Sequence, residues 1–520
     1  MIPMTVAEVA GVLGVPAPSA GADAVVDSVE FDTRRVRPGA LFVALPGERV
    51  DGHDFAAAAA TAGAVAVLGS RAIDDAGIPV LVLPSADDVL PALARLARAS
   101  VGALVEAGLV VVGITGSSGK TSTKDLVAAV LAAHAGTAVD YGADPAGSGG
   151  AVVAPRESFN NELGHPYTVL RAGPGTRFLV LELSARGIGH IAALATTARP
   201  LIGAVLNVGS AHLGEFGSVE GIAQAKGELV ESLPTAADGG IAVLNADDGR
   251  VLAMRDRTSA AVVTVGTGPG ADLRAEDIGE DELARASFTL VTPEGTAPVQ
   301  LAVAGEHQIG NALTAAAVGR AVGMSTPAIA AALGTAGPAS KWRMEVTTRP
   351  DGVTIVNDAY NANPESMKAA LRSLATIGRG RRTWAVLGEM GELGDAARDA
   401  HDAVGRLAVR LGVHQVIAVG PGARPLHMGA HLEGSWDGES LWVPDVAAAV
   451  DAVRSDLQPG DVVLVKASRA AGLERVALAL LADSPESAGV ADPADPAWPA
   501  VRVEEADAPA ASPTKGPDHR

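Results

Sequence analysis

The stretch Leu109 to Thr121 reads LVVVGITGSSGKT and carries the densest chemistry in the 520-residue chain. Gly113, Gly116 and Gly119 permit a tight turn that brings backbone N–H groups close to phosphate oxygens, and a helix N-terminus adds positive dipole. Ser117 and Ser118 stand between the last two glycines, and Lys120, Thr121 and Ser122 follow. Lys120 offers a point charge to the outer phosphates of a nucleotide, and the Thr121 hydroxyl is placed to ligate Mg²⁺. The common G-x-x-x-x-G-K-[ST] pattern wants glycine at position 114, where Ile114 stands. Apolar run, glycines, Lys-Thr and helical periodicity still fall in the order strand, phosphate loop, helix, which an incidental lysine beside a glycine turn would not require. The motif therefore specifies a nucleoside triphosphate, but not what is done with it.

Other residues gain meaning from where the elements must put them. FLVLEL, Phe178 to Leu183, is a buried-strand pattern carrying Glu182 at its end, and LIGAVLNVG, Leu201 to Gly209, runs on to His212. Ligands of a parallel sheet bind at the carboxyl ends of its strands, so Thr121, Glu182 and His212 are a candidate metal site. Singly, each is bland: a strand-end Glu is usually a solvated cap and a lone His is usually structural. Lys226, in a helical AKGE, reads from pattern alone as an exposed surface lysine. His307 and Asn311 are four residues apart in a helical pattern and share a face, although a polar helix start fits equally well. Asn160 and Asn161 lie in the turn-rich loop SFNNELGHP. Arg34 and Arg35, followed by Gly47 and the DGH at Asp51 to His53, form a polar set that could hold a diphosphate or sugar, although taken alone it reads as solvated loop.

The length exceeds what one core supports, so two to four domains are expected. Composition suits alternating Ala-rich helices and Val-rich strands: 48% hydrophobic, 3% aromatic and 61 glycines. Without cysteine there is neither a disulfide framework nor a Cys-ligated zinc site, which fits a reducing compartment. MIPMTVAEVA lacks the basic and apolar regions of a signal peptide, and no apolar run approaches the roughly 18 residues of a membrane span, so a cytoplasmic location is expected. The net charge of −20 argues against a nucleic-acid partner.

Along the chain, residues 1–100 read as a small α/β unit, 101–335 as a central ATP-binding unit and 336–483 as a second three-layer α/β block. Residues 135–153, rich in Gly, Ala and Asp, read as a flexible insertion, Gly334 to Ser340 as a linker, and 484–520 as a disordered Pro/Ala/acidic tail. Ala286 to Ala304 alternates like a hairpin. DAYNANPESM and TWAVLGEMGELG each repeat the arrangement of strand followed by loop in the last block.

Taken jointly, FDTRRVRPGALFVALPGERVDGHDF, GITGSSGKTSTK, SFNNELGHP, SAHLGEFGSVEGIAQAKGEL, DAYNANPESM and GEMGELG resemble the Mur ligase family, ATP-dependent amide-forming enzymes of peptidoglycan precursor synthesis. The resemblance spans residues 25 to 482 apart from the insertion. DAYNANP and FNNELG point to the member that adds D-alanyl-D-alanine to UDP-N-acetylmuramoyl-tripeptide through an acyl phosphate. It implies three domains: an N-terminal one for the UDP substrate, a central one with a P-loop-like parallel or mixed sheet, and a Rossmann-like C-terminal one closing over the nucleotide. It implies that Gly116 to Ser122, and Lys120 with Thr121 above all, serve ATP. It puts Thr121, Glu182, His212 and a carbamylated Lys226 on Mg²⁺, against the surface reading of that lysine. His307 and Asn311 would lie by the adenine, Arg343 by the γ-phosphate, and Asp358 with Asn361 by ribose and phosphates. Asn160 and Asn161 would serve the muramyl peptide, and Ser28, Asp32, Thr33 and Arg34 the UDP end. Lys120, Lys226, His212 and Arg343 are the expected catalytic set, in a monomer whose partners are small molecules. Ser184, Gln308 and Ala467 depart from residues frequent in relatives, but none removes a charged or metal-binding group. The neighbouring alternatives are a sibling ligase adding one amino acid and a folylpolyglutamate-type ligase. A dead-ligase regulator would lack Lys120, Glu182, His212 or Lys226, and a simple P-loop kinase or ATPase would need no amine acceptor.

Overall fold

The computed structural model describes residues 1–47, 50–142, 150–155, 159–209, 213–434 and 439–483. His212 and the tail from 484 lie outside them, as do residues 143–149 of the expected insertion.

The chain begins with β1 (Met4–Thr5), paired antiparallel with β2 (Val25–Val26). Thr5 also starts the helix Val6–Leu13, because its hydroxyl accepts from Glu8 N while the Glu8 carboxylate returns to Thr5 N, satisfying two donors that a helix start leaves open. Four parallel strands follow in sheet order: β3 (Ser28–Glu30), β4 (Ala40–Val43), β5 (Ala64–Gly69) and β6 (Val80–Val82). The helix Val89–Glu106 then carries the chain into the central sheet.

That sheet contains β7 (Val110–Thr115), β8 (Val139–Asp140), β9 (Val152–Val153), β10 (Phe178–Glu182) and β11 (Ile202–Val205). It continues through β12 (Ile241–Asn245), β13 (Ala261–Gly266), β14 (Leu273–Glu280), β15 (Arg285–Thr292) and β16 (Gly295–Ala304). The order is β16-β15-β14-β13-β12-β11-β7-β10-β9-β8, parallel except where β15 pairs antiparallel with β14 and β16. β7 has β10 on one side and β11 on the other, so the connections reverse direction there and open a crevice at its carboxyl end. β7, β10 and β11 are buried on both faces, which accounts for their apolar runs. On one face the helices Lys120–Ala135 and Gln308–Ala321 pack together.

The last block is a sheet of β17 (Glu345–Thr348), β18 (Thr354–Asn357), β19 (Thr383–Leu387), β20 (Gln415–Val419), β21 (Ser440–Val443) and β22 (Val462–Lys466). Its order is β17-β18-β22-β19-β20-β21, with only β17 antiparallel. The loops after β18, β19 and β22 therefore gather at one edge, as those after β7, β10 and β11 do in the central sheet.

Two expectations change. The segment 135–153 is not all insertion, since β8 and β9 lie within it and extend the sheet edge; two-residue strands are too short to show alternation. The helix Thr326–Thr335, with proline in its first turn, runs through Gly334 and Thr335, so the connection to the last block is shorter than the sequence indicates. Its far end is fixed. Ser340 N donates to Asp125 Oδ2 at 3.0 Å, and the fully buried Lys124, ion-paired with Asp125 at 2.7 Å, donates to Ser340 Oγ and Pro155 O.

Candidate active site

The two gathered sets of loops face one another across a cleft of about 740 Å³. On the central side the phosphate loop is built by its neighbours. Ser118 N donates to Asn207 Oδ1 at 2.9 Å while Asn207 Nδ2 donates back to Ser118 O, and Ser117 N and Oγ join Asn207 O and Gly209 N. Gly119 takes φ +81°, and a Cβ there would sit 2.7 Å from Asn311 Oδ1, so only glycine fits. Asn207 was not singled out from sequence; its position just after a strand abutting β7 was the available signal.

Lys120 Nζ donates to Gly116 O at 2.8 Å. Desolvation holds its ammonium below the ordinary lysine value, Glu182 and Glu392 opposing and Arg343 adding to the shift. Glu182 is 1% exposed: Oε2 accepts from Asn160 Nδ2 at 3.2 Å, and Oε1 is buried with no hydrogen-bond partner among the described residues. Such a carboxylate oxygen is costly unless a cation satisfies it, and with the Thr121 hydroxyl on the same cleft it makes an oxygen donor set that fits Mg²⁺. No three His, Asp or Glu side chains converge among the described residues, and the expected His212 lies outside them.

Lys226 corrects the surface reading of its pattern. It is 5% exposed, because the helix Val219–Glu231 packs that face inward. Burial, then the charge of Lys120, pushes its amine well below the ordinary value. It does not line the cleft itself.

From the opposite side come Arg343, Asp358, Asn361 and Lys466. Arg343 Nη2 donates to Thr121 Oγ1 at 3.0 Å, and its guanidinium lies 4.1 Å from the Tyr360 ring centre. Lys466 Nζ donates to Asp358 Oδ2 at 2.6 Å and to Asn361 O at 2.8 Å; its amine is held down by desolvation, with Asp358 opposing. Lys466 too was not singled out as a site residue.

Of the expected residues, Ser117 to Ser122, Asn160, Asn161, Glu182, His307, Asn311, Arg343, Asp358 and Asn361 line this one cleft. Two of them also carry structural bonds. The Asn311 amide accepts from Thr123 Oγ1 and donates to Gln308 Oε1, which makes it a buttress under Gly119. Asn161 Oδ1 accepts from Gly164 N at 2.8 Å and thereby steadies the start of the helix Gly164–Arg171. His307 precedes the helix that was expected to carry it, as its N-cap.

Ser28, Asp32, Thr33 and Arg34 are not brought to the cleft. Asp32 caps the short turn Thr33–Arg35 and pairs with Arg34 at 2.7 Å. Ser28 instead lines a separate cavity of about 390 Å³, with Glu30, Arg35, Arg37, Tyr167 and Arg171. Two of these meet across sequence: Tyr167 Oη donates to the Glu30 carboxylate at 3.1 Å.

Comparison with known proteins places this geometry. The family models described as "Mur ligase family, catalytic domain", "Mur ligase middle domain" and "Mur ligase, glutamate ligase domain" match residues 25–100, 114–319 and 342–469. The UDP-N-acetylmuramoyl-tripeptide--D-alanyl-D-alanine ligase of Mycobacterium tuberculosis is 50% identical over 523 residues, covering 93% of this chain and 98% of that one. The chain belongs to the Mur ligase family. Its three-domain α/β architecture agrees with solved Mur ligases: a crystal structure of MurF from Acinetobacter baumannii superposes with a TM-score of 0.76 at 29% identity, covering 92% of this chain and 98% of that one. MurF of Thermotoga maritima, solved in complex with ADP, gives 0.71 at 28% identity over 88% and 97%.

Proposed function

We propose that this Mur ligase is an ATP-dependent, ADP-forming amide ligase that joins D-alanyl-D-alanine to UDP-N-acetylmuramoyl-tripeptide in peptidoglycan precursor synthesis. The observation that carries the reading is the 50% identity to the mycobacterial ligase of that name across 98% of its length, with a phosphate-loop lysine, an orphaned carboxylate and an arginine on one cleft.

The terminal carboxylate of the tripeptide attacks the γ-phosphorus of ATP, ADP leaves, and the resulting acyl phosphate takes the amine of the dipeptide. Carbon–nitrogen bond formation through a tetrahedral adduct then expels phosphate. Both steps gather negative charge on oxygen, which Lys120 and Arg343 meet as preorganised cations. The loop amides of Gly116 to Ser122 orient the phosphates, and the loops of the last block, with Asp358 and Asn361, keep water from the acyl phosphate. Glu182 and Thr121 would hold Mg²⁺, with His212 and a carbamylated Lys226; the ion supplies charge neutralisation on the phosphates. Burial that favours the unprotonated amine suits Lys226 for carbamylation, since only the unprotonated amine adds to CO₂.

Asn160 and Asn161 serve the muramyl peptide, and Ser28, Asp32, Thr33 and Arg34 belong to the unit that holds the UDP end. His307 and Asn311 flank the adenine side, Asn311 by supporting Gly119. We assign 1–100 to the UDP-substrate domain, 101–335 to the ATPase domain and 336–483 to the C-terminal domain. No described helix is long and apolar enough to cross a membrane, and we place the enzyme in the cytoplasm as a monomer contributing to cell-wall growth and division.

The test is phosphate release from ATP in the presence of UDP-muramyl tripeptide, with and without D-alanyl-D-alanine, the product read by mass. Dipeptide-dependent release with a pentapeptide product is expected. Addition of a single amino acid would make the chain a sibling ligase, and release without an amine would make it an ATPase.

A further inference from the structure

Resting on the ligase reading, we propose that Arg469 is an acceptor-binding residue, its guanidinium receiving the carboxylate at the far end of the incoming dipeptide. The dipeptide reacts through its amine and carries a carboxylate at its other end, so the cleft must offer that anion a cation apart from those that meet the phosphates. The basic side chains lining the cleft are Lys120, Arg186, His190, Arg343, Lys466 and Arg469. Lys120 and Arg343 bond within the phosphate loop and its helix, through Gly116 O and Thr121 Oγ1. Lys466 donates to Asp358 and to Asn361 O, from the end of β22. Arg186 and His190 follow β10, whose last residue, Glu182, accepts from Asn160 on the tripeptide side. Arg469 stands across the cleft from them, in the turn Arg469–Ala471 that follows β22.

The surrounding chain makes this arginine a fixed fork. Its guanidinium lies 4.6 Å from the Trp342 ring centre, and Nη1 donates to Glu474 Oε1 at 2.8 Å. Glu474, buried at the start of the helix Glu474–Ala482, comes within reach because Gly472 turns the chain back at φ +62°, a conformation that glycine adopts without strain. The residue before Arg469 is pinned as well: Ser468 N donates to Glu389 O at 2.9 Å, and Ser468 Oγ accepts from Gly391 N at 2.8 Å. Glu474 is the one hydrogen-bond partner of Arg469 among the described residues, and it takes only Nη1. Nε and Nη2 share the other edge of the guanidinium, the edge that receives a carboxylate through two parallel N–H groups, and the side chain is 53% exposed. The position also suits the length of the acceptor. A dipeptide spans at most about 7 Å. Trp342, on which Arg469 stacks, directly precedes Arg343, the arginine of the phosphate side.

The experiment compares wild type with Arg469→Gln on two acceptors, D-alanyl-D-alanine and its C-terminal amide, which keeps the reacting amine and lacks the terminal charge. Wild type should show a KM for the amide about tenfold or more above that for the dipeptide, as loss of a charged hydrogen bond gives. The variant should raise the dipeptide KM by about the same factor and so handle the two acceptors alike, its amide KM staying within about twofold of wild type. A turn that had merely lost its packing would weaken both acceptors equally. Wild type that does not distinguish dipeptide from amide, an unchanged dipeptide KM in the variant, or equal shifts for both acceptors would overturn the assignment, as would a shift confined to the KM of ATP or of the tripeptide. Failure of the wild type itself to make the pentapeptide would instead overturn the ligase reading.

Discussion

Arg343 Nη2 meets Thr121 Oγ1 at 3.0 Å, so the segment leading into the last sheet touches the first turn of the phosphate-loop helix directly. The residues on either side, Trp342 at φ +59° and Met344 at φ +51°, are both left-handed, and Met344 N is held by Asp358 Oδ1. The arginine is thus presented by strained backbone and stacked on Tyr360, a geometry for a planar fork rather than a point charge. Arg343→Lys should lower kcat by about tenfold or more, the factor that ~1.4 kcal/mol of lost charge-assisted bonding gives. Steady-state ligation with an unchanged melting curve checks it; a lysine variant at wild-type rate would reduce Arg343 to a structural contact.

Lys120→Ala should cost on the order of 10² or more in kcat, as other preorganised charge stabilisers do. Phosphate release under saturating substrates measures it. Because Lys120 bonds only the Gly116 carbonyl within the loop, the melting temperature should change little.

Lys226→Ala should abolish ligation, with partial recovery in short carboxylic acids that replace the carbamate oxygens. Wild type kept free of CO₂ should lose activity and regain it with bicarbonate. Retention of wild-type rate by the alanine variant would remove the lysine from the metal site.

Asn207→Ala leaves Ser118 N and O without the partner that now serves both. It should destabilise the fold by about 1–3 kcal/mol in denaturant titration and raise the KM for ATP. An unaltered KM would mean that the phosphate loop holds its shape unaided.

Burial pushes the Glu30 carboxyl up from 4.5 to about 7, with Arg35 and the Tyr167 hydroxyl opposing. An acid whose folded value is raised binds more protons when native, so its contribution is fully present below about pH 4.5 and is lost as pH rises through about 7. Glu30→Gln keeps a hydrogen-bond acceptor for Tyr167 without the charge. It should be more stable than wild type by about 1–3 kcal/mol at pH 8 and near parity at pH 5, read from denaturant midpoints. A constant difference between the two pH values would contradict the assignment.

Much of this architecture is legible in the sequence because its strands are unbroken Val and Leu runs and its phosphate loop is bounded by glycines. What escapes is what distance in sequence hides. Lys226 has the pattern of a surface lysine, and only the packing of its helix buries it. Asn311 lines the cleft, yet its amide is spent on Thr123 and Gln308, a choice made by a residue 188 positions away. The Tyr167–Glu30 pair joins residues whose local patterns give no sign of each other. β8 and β9 are decided by the sheet edge they complete rather than by their own two residues.

The burial of Ser340 between Lys124 and Asp125 gives the link between the last two domains a fulcrum. With that residue locked to the phosphate-loop helix, any rotation of the last sheet must begin beyond it. Arg343 lies three residues along, within about 11 Å of chain, and so moves on a short arm. Any such rotation would accordingly leave the arginine close to the phosphate loop.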